Sequence, residues 1–148
     1  MITRILWPLD GSNFAHRALP SVASLAKTHQ ASVVVYGCLA LDELINTGIE
    51  MSPITFTQLW TEQRDELLSH LRKAVEELQQ EGLEASQAWS SGRPVEKIVE
   101  TAIDKGCDCI IMASHGRGGF RRWVMGSVTE GVLRRAPCPV FVLPSSGE

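Results

Sequence analysis

The chain has 148 residues, 44% of them apolar and 21% charged, with a net charge of −3. That length suits one domain, residues 1–148, with a real hydrophobic core. The mild acidity argues against general affinity for nucleic acid or an anionic membrane, and leaves room for a local anion site.

The longest apolar run, from Val33 to Leu41, is far too short to span a bilayer. Pro8 and Asp10 arrive before a signal-peptide apolar region can develop. The expectation is a cytoplasmic protein with neither nucleic acid nor membrane as partner.

Thr3 to Leu9 is a β-like run that Asp10-Gly11-Ser12 breaks. Ser12 is a candidate N-cap, because its hydroxyl can accept from the free N–H groups of a first helical turn. Phe14 or Ala15, Ala18, Leu19, Val22, Leu25 and Ala26 then recur at helical spacing, with Pro20 as a predicted kink. The valine-rich run from Ser32 to Leu41 reads as a buried strand.

Residues 40–52 read as a loop, and Ser52-Pro53 as N-cap and first residue of a long helix. Its stripe runs through Phe56, Leu59 or Trp60, Gln63, Leu67, Leu71, Val75 and Leu78, and Gly82 ends it. Glu84 to Trp89 is a third strand. Pro94 opens a helix that Gly106 stops. Cys109 to Ala113 is a fourth strand, Ser127 to Arg135 a short helix, and Val140 to Leu143 a last strand fenced by Pro137, Pro139 and Pro144.

Strands alternating with helices imply a parallel sheet covered on both faces. Ligands of such sheets sit beyond the carboxyl ends of the strands, where the strand order reverses. Two loops carry suitable chemistry, and they follow the first and fourth strands. In one, Asp10 offers a carboxylate to a ribose hydroxyl or to phosphate-bound Mg²⁺. As plain turn chemistry, Asp10 instead caps a helix and Gly11 turns the chain.

In the other loop, Ala113-Ser114-His115-Gly116 is followed by nine residues and then Gly126-Ser127. A glycine-rich loop between a strand and a helix N-terminus lets backbone N–H groups approach an anion. Five of the ten arginines, Arg117, Arg121, Arg122, Arg134 and Arg135, fall in this part of the chain.

The remaining chemistry-bearing residues are weak signals. Cys107 and Cys109 lie too close in sequence for a zinc knuckle, so Cys109 reads as a buried apolar residue. Cys138 leaves weak thiol reactivity open. His16, His29 and His70 lack metal-ligand spacing and read as helix-surface residues. Trp60 reads as packing. No Gly-Lys-Ser/Thr occurs, so there is no Walker A lysine.

The chain resembles the universal stress protein family over essentially its whole length. The resemblance rests on Pro8-Leu9-Asp10-Gly11-Ser12, Ser114-His115-Gly116-Arg117-Gly118-Gly119, Gly126-Ser127-Val128-Thr129-Glu130 and Ala136-Pro137-Cys138-Pro139-Val140. The family's nucleotide-binding pattern, Gly-x2-Gly-x9-Gly-Ser, matches at Gly116, Gly126 and Ser127. Its first glycine is Ala113 here.

The resemblance implies a doubly wound five-stranded sheet of order 3-2-1-4-5, and a homodimer through the last strand. It implies ATP, or ADP or AMP, with Mg²⁺. Asp10 falls near ribose, phosphates or metal. Gly116, Gly126, Ser127 and Val128 fall at the phosphates, and Cys38, Leu39, Met112 and Ala113 around adenine. Pro8, Leu9, His115, Arg117, Gly119 and Thr129 complete the candidate set.

The expected function is an adenine-nucleotide-binding, nucleotide-sensing stress-response module with little or no hydrolysis. His115 is expected to hydrogen-bond or pack rather than catalyse, and no catalytic residue is assigned. The alternatives are a slow Mg-dependent ATPase and a nucleotide-free dimerisation module. Ala113 in place of glycine favours the last of these.

Overall fold

The computed structural model describes residues 1–10, 13–40, 52–114 and 126–144. Five strands alternate with helices: β1 (Arg4–Leu9), β2 (Ser32–Leu39), β3 (Ala85–Ser91), β4 (Cys109–Ala113) and β5 (Val140–Leu143). They pair in parallel in the order β3-β2-β1-β4-β5. The chain therefore reverses direction across the sheet between β1 and β4, the first and fourth strands, as a doubly wound fold requires.

The helices are α1 (Asn13–His16), α2 (Leu19–His29), α3 (Pro53–Gln80), α4 (Pro94–Asp104) and α5 (Ser127–Arg135). The period-2 alternation of the strands feeds two separate cores. On one face Ile5, Trp7, Leu9, Val33, Val35, Leu39, Cys109 and Ile111 pack with Val22, Ala23 and Ala26 of α2 and with Leu67, Leu71 and Leu78 of α3. On the other face Leu6, Val34, Tyr36, Ile110 and Met112 pack with Ile98 and Ala102 of α4 and with Val132 of α5.

Pro20 does not kink a helix; it starts one. It occupies the first turn of α2, where its missing N–H costs nothing, and the short α1 stands apart from α2. Ser52 caps α3 as its sequence predicts, accepting from the Thr55 N–H at 3.1 Å. Gly82 and Gly106 follow α3 and α4 at φ +82° and +65°, the left-handed region that glycine adopts without strain.

At 28 residues α3 is about 42 Å long, while the eight residues of β2 span about 26 Å. The helix outruns the sheet. Its fully buried stripe accordingly starts only at Leu67, and Ile54 near its start is 71% exposed. Trp60 packs against the edge of the core, 6.2 Å from the Trp89 ring, with the Arg64 guanidinium 5.2 Å from its own ring centre.

Gly37 sits on the α3 face of β2, where an added Cβ would lie 2.6 Å from Leu67 Cδ1. Its smallness seats the helix. The opposite end of the sheet is stapled by Asp108, whose carboxylate accepts from Thr3 N–H, Thr3 Oγ1 and Arg4 N–H at 2.8–3.0 Å. The expected Ser12 cap, the 40–52 loop beyond Ala40 and before Ser52, and the glycine loop through residues 115–125 lie outside the described residues.

Candidate functional site

Backbone groups of a strand point alternately to its two neighbours, and this decides where the sheet opens. In β1 the Thr3 carbonyl just before the strand accepts from Ser32 of β2, and the Arg4 carbonyl accepts from Asp108 beside β4. Even-numbered residues of β1 therefore face β4. Pro8 is one of them, and it has no N–H to give.

The ladders reflect this. β1 pairs with β2 over six residues, from Arg4–Ser32 to Leu9–Gly37. With β4 its register covers two pairs, Ile5–Cys109 and Leu6–Ile110. The β1–β4 ladder thus stops short of Pro8, although both strands continue. This gap in the hydrogen-bond ladder lies at the topological switch point, on the carboxyl side of the sheet.

The same alternation orders β4. Ile110 N–H donates to Pro139 O and Ser114 N–H to Leu143 O, both toward β5. Ala113 therefore turns its backbone toward β1 and the gap. The Ala113 carbonyl accepts the Thr129 hydroxyl at 3.1 Å, and Thr129 is only 4% exposed.

Immediately beyond, the Ser114 carbonyl accepts the Gly126 N–H at 2.8 Å. The two ends of the 115–125 segment are thus pinned together at the carboxyl end of β4. Ser114, fully buried, is the residue that joins β5, β4 and the start of α5. Nothing in the sequence around Ser114 singles it out for that role.

Gly126 is the N-cap of α5, at φ −65° and ψ 156°. Any residue can adopt that backbone, so conformational freedom does not account for glycine there. Space does: an added Cβ would stand 3.2 Å from the Ser114 carbonyl oxygen. The Gly126 carbonyl accepts from Glu130 N–H to close the first turn. The Gly126 N–H is engaged with Ser114, so the donors α5 presents are those of its first turn, including Ser127 and Val128.

Asp10 directly follows β1 at the gap, half-buried. Pro8 and Met112 alternate on the α4/α5 face of the sheet, in step with Leu6 and Ile110, and Cys38 packs against the core layer there. The Cys38 thiol donates to the Gly92 carbonyl at 3.5 Å. These side chains share one face beside the gap.

Other candidates fall elsewhere. Leu9 and Leu39 bury their side chains in the α2/α3 core, and Val128 packs its side chain against the α4/α5 core. What these three offer a ligand is backbone. Ala113 pairs with Leu143, which packs against the α2/α3 core, so the Ala113 methyl group lies on the face opposite Met112 and Pro8. Replacing the family glycine by alanine therefore adds nothing on the face of Pro8 and Met112.

Arg134 and Arg135 occupy the last turn of α5, about 12 Å from Gly126, where they complement the helix dipole. Arg134 also pairs with Glu130 at 2.8 Å. They belong to the far end of the helix, and not to the glycine loop. His115, Gly116, Arg117, Gly119, Arg121 and Arg122 lie outside the described residues.

Three thiols, Cys107, Cys109 and Cys138, are held toward their neutral form. Burial pushes Cys109 up to about 12 and Cys107 up to about 11, and burial together with the nearby Asp108 raises Cys138. The weak reactivity left open for Cys138 finds no support in that setting. Among the described residues no three His, Cys, Asp or Glu side chains gather as a metal site, and no helix is long and apolar enough to cross a membrane.

A family model described as the universal stress protein family matches residues 1–144. The chain belongs to the universal stress protein family. Universal stress protein YxiE of Bacillus subtilis is 31% identical over 147 residues, covering 97% of this chain and 99% of that protein.

The solved structure of MJ0577, a universal stress protein of Methanocaldococcus jannaschii, superposes with a TM-score of 0.86 at 28% identity. It covers 100% of this chain and 99% of that one. A universal stress protein from Archaeoglobus fulgidus, solved in complex with dAMP, has the same fold at 21% identity, a TM-score of 0.67, and coverage of 96% and 97%.

Proposed function

We propose that this universal stress protein binds an adenine nucleotide at the carboxyl edge between β1 and β4. ATP with Mg²⁺ is the first candidate and ADP or AMP the next. The protein then serves as a cytoplasmic nucleotide-sensing module with little or no hydrolysis. One observation carries the reading: the β1–β4 ladder ends at Leu6 and Ile110, and α5 begins at the mouth of that gap. Backbone donors of a helix N-terminus at a sheet opening favour a phosphate. The dAMP complex of the Archaeoglobus relative supports an adenine nucleotide as the class.

In this reading the first-turn N–H groups and the Ser127 hydroxyl meet phosphate oxygens. Pro8, Cys38 and Met112 flank the base, with backbone from Leu9, Leu39 and Ala113. Asp10 is a single carboxylate, which suits Mg²⁺ held chiefly by nucleotide phosphates and water rather than a protein-only cage. When bound, the metal would neutralise phosphate charge. His115, Gly116, Arg117 and Gly119 complete the proposed phosphate side on the strength of the family motif.

A homodimer through β5 belongs to the same proposal. The nucleotide-free alternative drew its support from Ala113, and the placement of that methyl group, on the face opposite Pro8 and Met112, weighs against it.

The test is thermal melting with millimolar ATP, ADP and AMP, each with and without Mg²⁺. A ligand at about 100 times its Kd stabilises the native state by roughly 2.7 kcal/mol. A transition that none of the three nucleotides moves defeats the reading. Steady-state phosphate release, with and without Mg²⁺, tests the low turnover.

A further inference from the structure

We infer that Thr129 is a positioning residue for the phosphate end of the β1–β4 gap, acting by giving its hydroxyl hydrogen to the Ala113 carbonyl. The inference rests on the proposed nucleotide site and assigns Thr129 a role other than ligand contact.

Three features of the chain converge on that bond. The β1–β4 register ends at Leu6 and Ile110, and Pro8, without an N–H, cannot extend it. Ala113 is one of the residues whose backbone turns toward β1. A buried carbonyl without a donor is costly, and here it would also place a negative partial charge toward the gap where an anion is to sit. The Thr129 hydroxyl, 3.1 Å away and reaching back sixteen residues, satisfies it.

The second consequence is geometric. Gly126 N–H to Ser114 O and Thr129 Oγ1 to Ala113 O attach the first turn of α5 to two consecutive carbonyls of the β4 end. Two anchors on adjacent residues fix both the position and the roll of that turn. Its free donors then stay aimed at one place. Because the hydroxyl hydrogen is already given to Ala113, Thr129 serves the ligand through the backbone it holds.

The experiment uses the full chain and its Thr129→Val, Thr129→Ser and Thr129→Ala variants, titrated calorimetrically with ATP and with adenosine. Valine keeps the shape and removes the donor. We expect Thr129→Val to bind ATP about tenfold more weakly, a change of roughly 1.4 kcal/mol. Adenosine, lacking phosphate, should change by less than about twofold, and Thr129→Ser should restore ATP binding.

Equal ATP affinity in Thr129→Val, or equal losses for ATP and adenosine, would overturn the inference, the second outcome pointing to a purely structural bond. If Thr129→Val does not fold, Thr129→Ala against Thr129→Ser makes the same comparison: a tenfold loss for ATP alone in the alanine variant supports the role, and equal affinity or equal losses overturn it. A wild-type chain that binds neither compound refutes the nucleotide reading itself, and this inference with it.

Discussion

Asp108 shows how much one side chain can organise. Its carboxylate collects the N–H groups of Thr3 and Arg4 and the Thr3 hydroxyl, tying the start of β1 to the start of β4. Partial burial works to raise its pKa, but those hydrogen bonds to the charged form outweigh it, and the net direction is down. A carboxylate depressed in the folded state contributes stability above its unfolded value of about 3.9, and the contribution disappears as pH falls through the folded value. Asp108→Asn should therefore lower stability at neutral pH by about 1 kcal/mol, the low end for charge-assisted bonds that solvent reaches. The gap between variant and wild type should close in acid. Urea melts of both proteins across that range check it, and a gap independent of pH would show that the charge is irrelevant.

Gly126 and Ala113 form a contrasting pair at the same scale. A valine at 126 brings Cβ within 3.2 Å of the Ser114 oxygen and branches there, so the pin between β4 and α5 must shift. Gly126→Val should fold and lose the nucleotide-induced rise in melting temperature. Ala113→Gly removes a methyl group from the opposite face and should leave nucleotide affinity within about twofold, far below the tenfold that a lost hydrogen bond produces. Side-by-side titrations decide, and the reverse ranking of the two variants would relocate the site.

At the scale of elements, the informative pairing is the one that stops. A proline in a central strand is ordinarily disfavoured because it leaves a ladder position empty. In β1 that empty position faces β4, and it is where the two strands cease to pair. Pro8→Ala supplies the missing N–H. The extra backbone bond is worth about 1 kcal/mol, and the greater freedom of the unfolded chain without proline costs a similar amount. Little net change in stability is expected. The new amide at position 8 should be protected in hydrogen exchange, and nucleotide affinity should fall as the gap narrows. An amide at position 8 that exchanges as fast as a surface loop would show that Pro8 does not hold the ladder open.

For the molecule as a whole, β5 is a sheet edge, with β4 on one side and its other hydrogen-bonding side turned outward. Val140 packs toward the α4/α5 layer and Leu143 toward the α2/α3 layer, while Phe141 remains 44% exposed. An apolar edge with an exposed aromatic ring invites pairing with a second copy, and two-fold pairing satisfies both edges at once. Phe141→Lys should yield monomers at tens of micromolar, a concentration at which an interface of ordinary size is filled (roughly 8 kcal/mol at micromolar Kd). Sedimentation would check this, and a wild-type chain that is itself monomeric there would end the dimer proposal.

Periodicity and punctuation in the sequence were enough for the order of elements. Ser52-Pro53 opens α3, Gly82 and Gly106 follow helices, and β4, α5 and β5 begin and end at the residues their apolar runs indicate, because these signals act within a few residues of the chain. The family motifs carried the strand order and pointed to Asp10 and the Gly126–Ser127 turn. What depends on residues far apart in sequence was not legible. Pro20 reads as a kink until α1 and α2 are placed. Gly37 seats α3 only because Leu67 lies over it. Ala113 looks like a defect until its register with Leu143 sets its face. Pro8 acts only through what it withholds from β4, and Thr129 only through a carbonyl sixteen residues earlier. Strand alternation and sheet register decide each of these, since a side chain's face and a backbone group's partner are properties of neighbours brought together by folding.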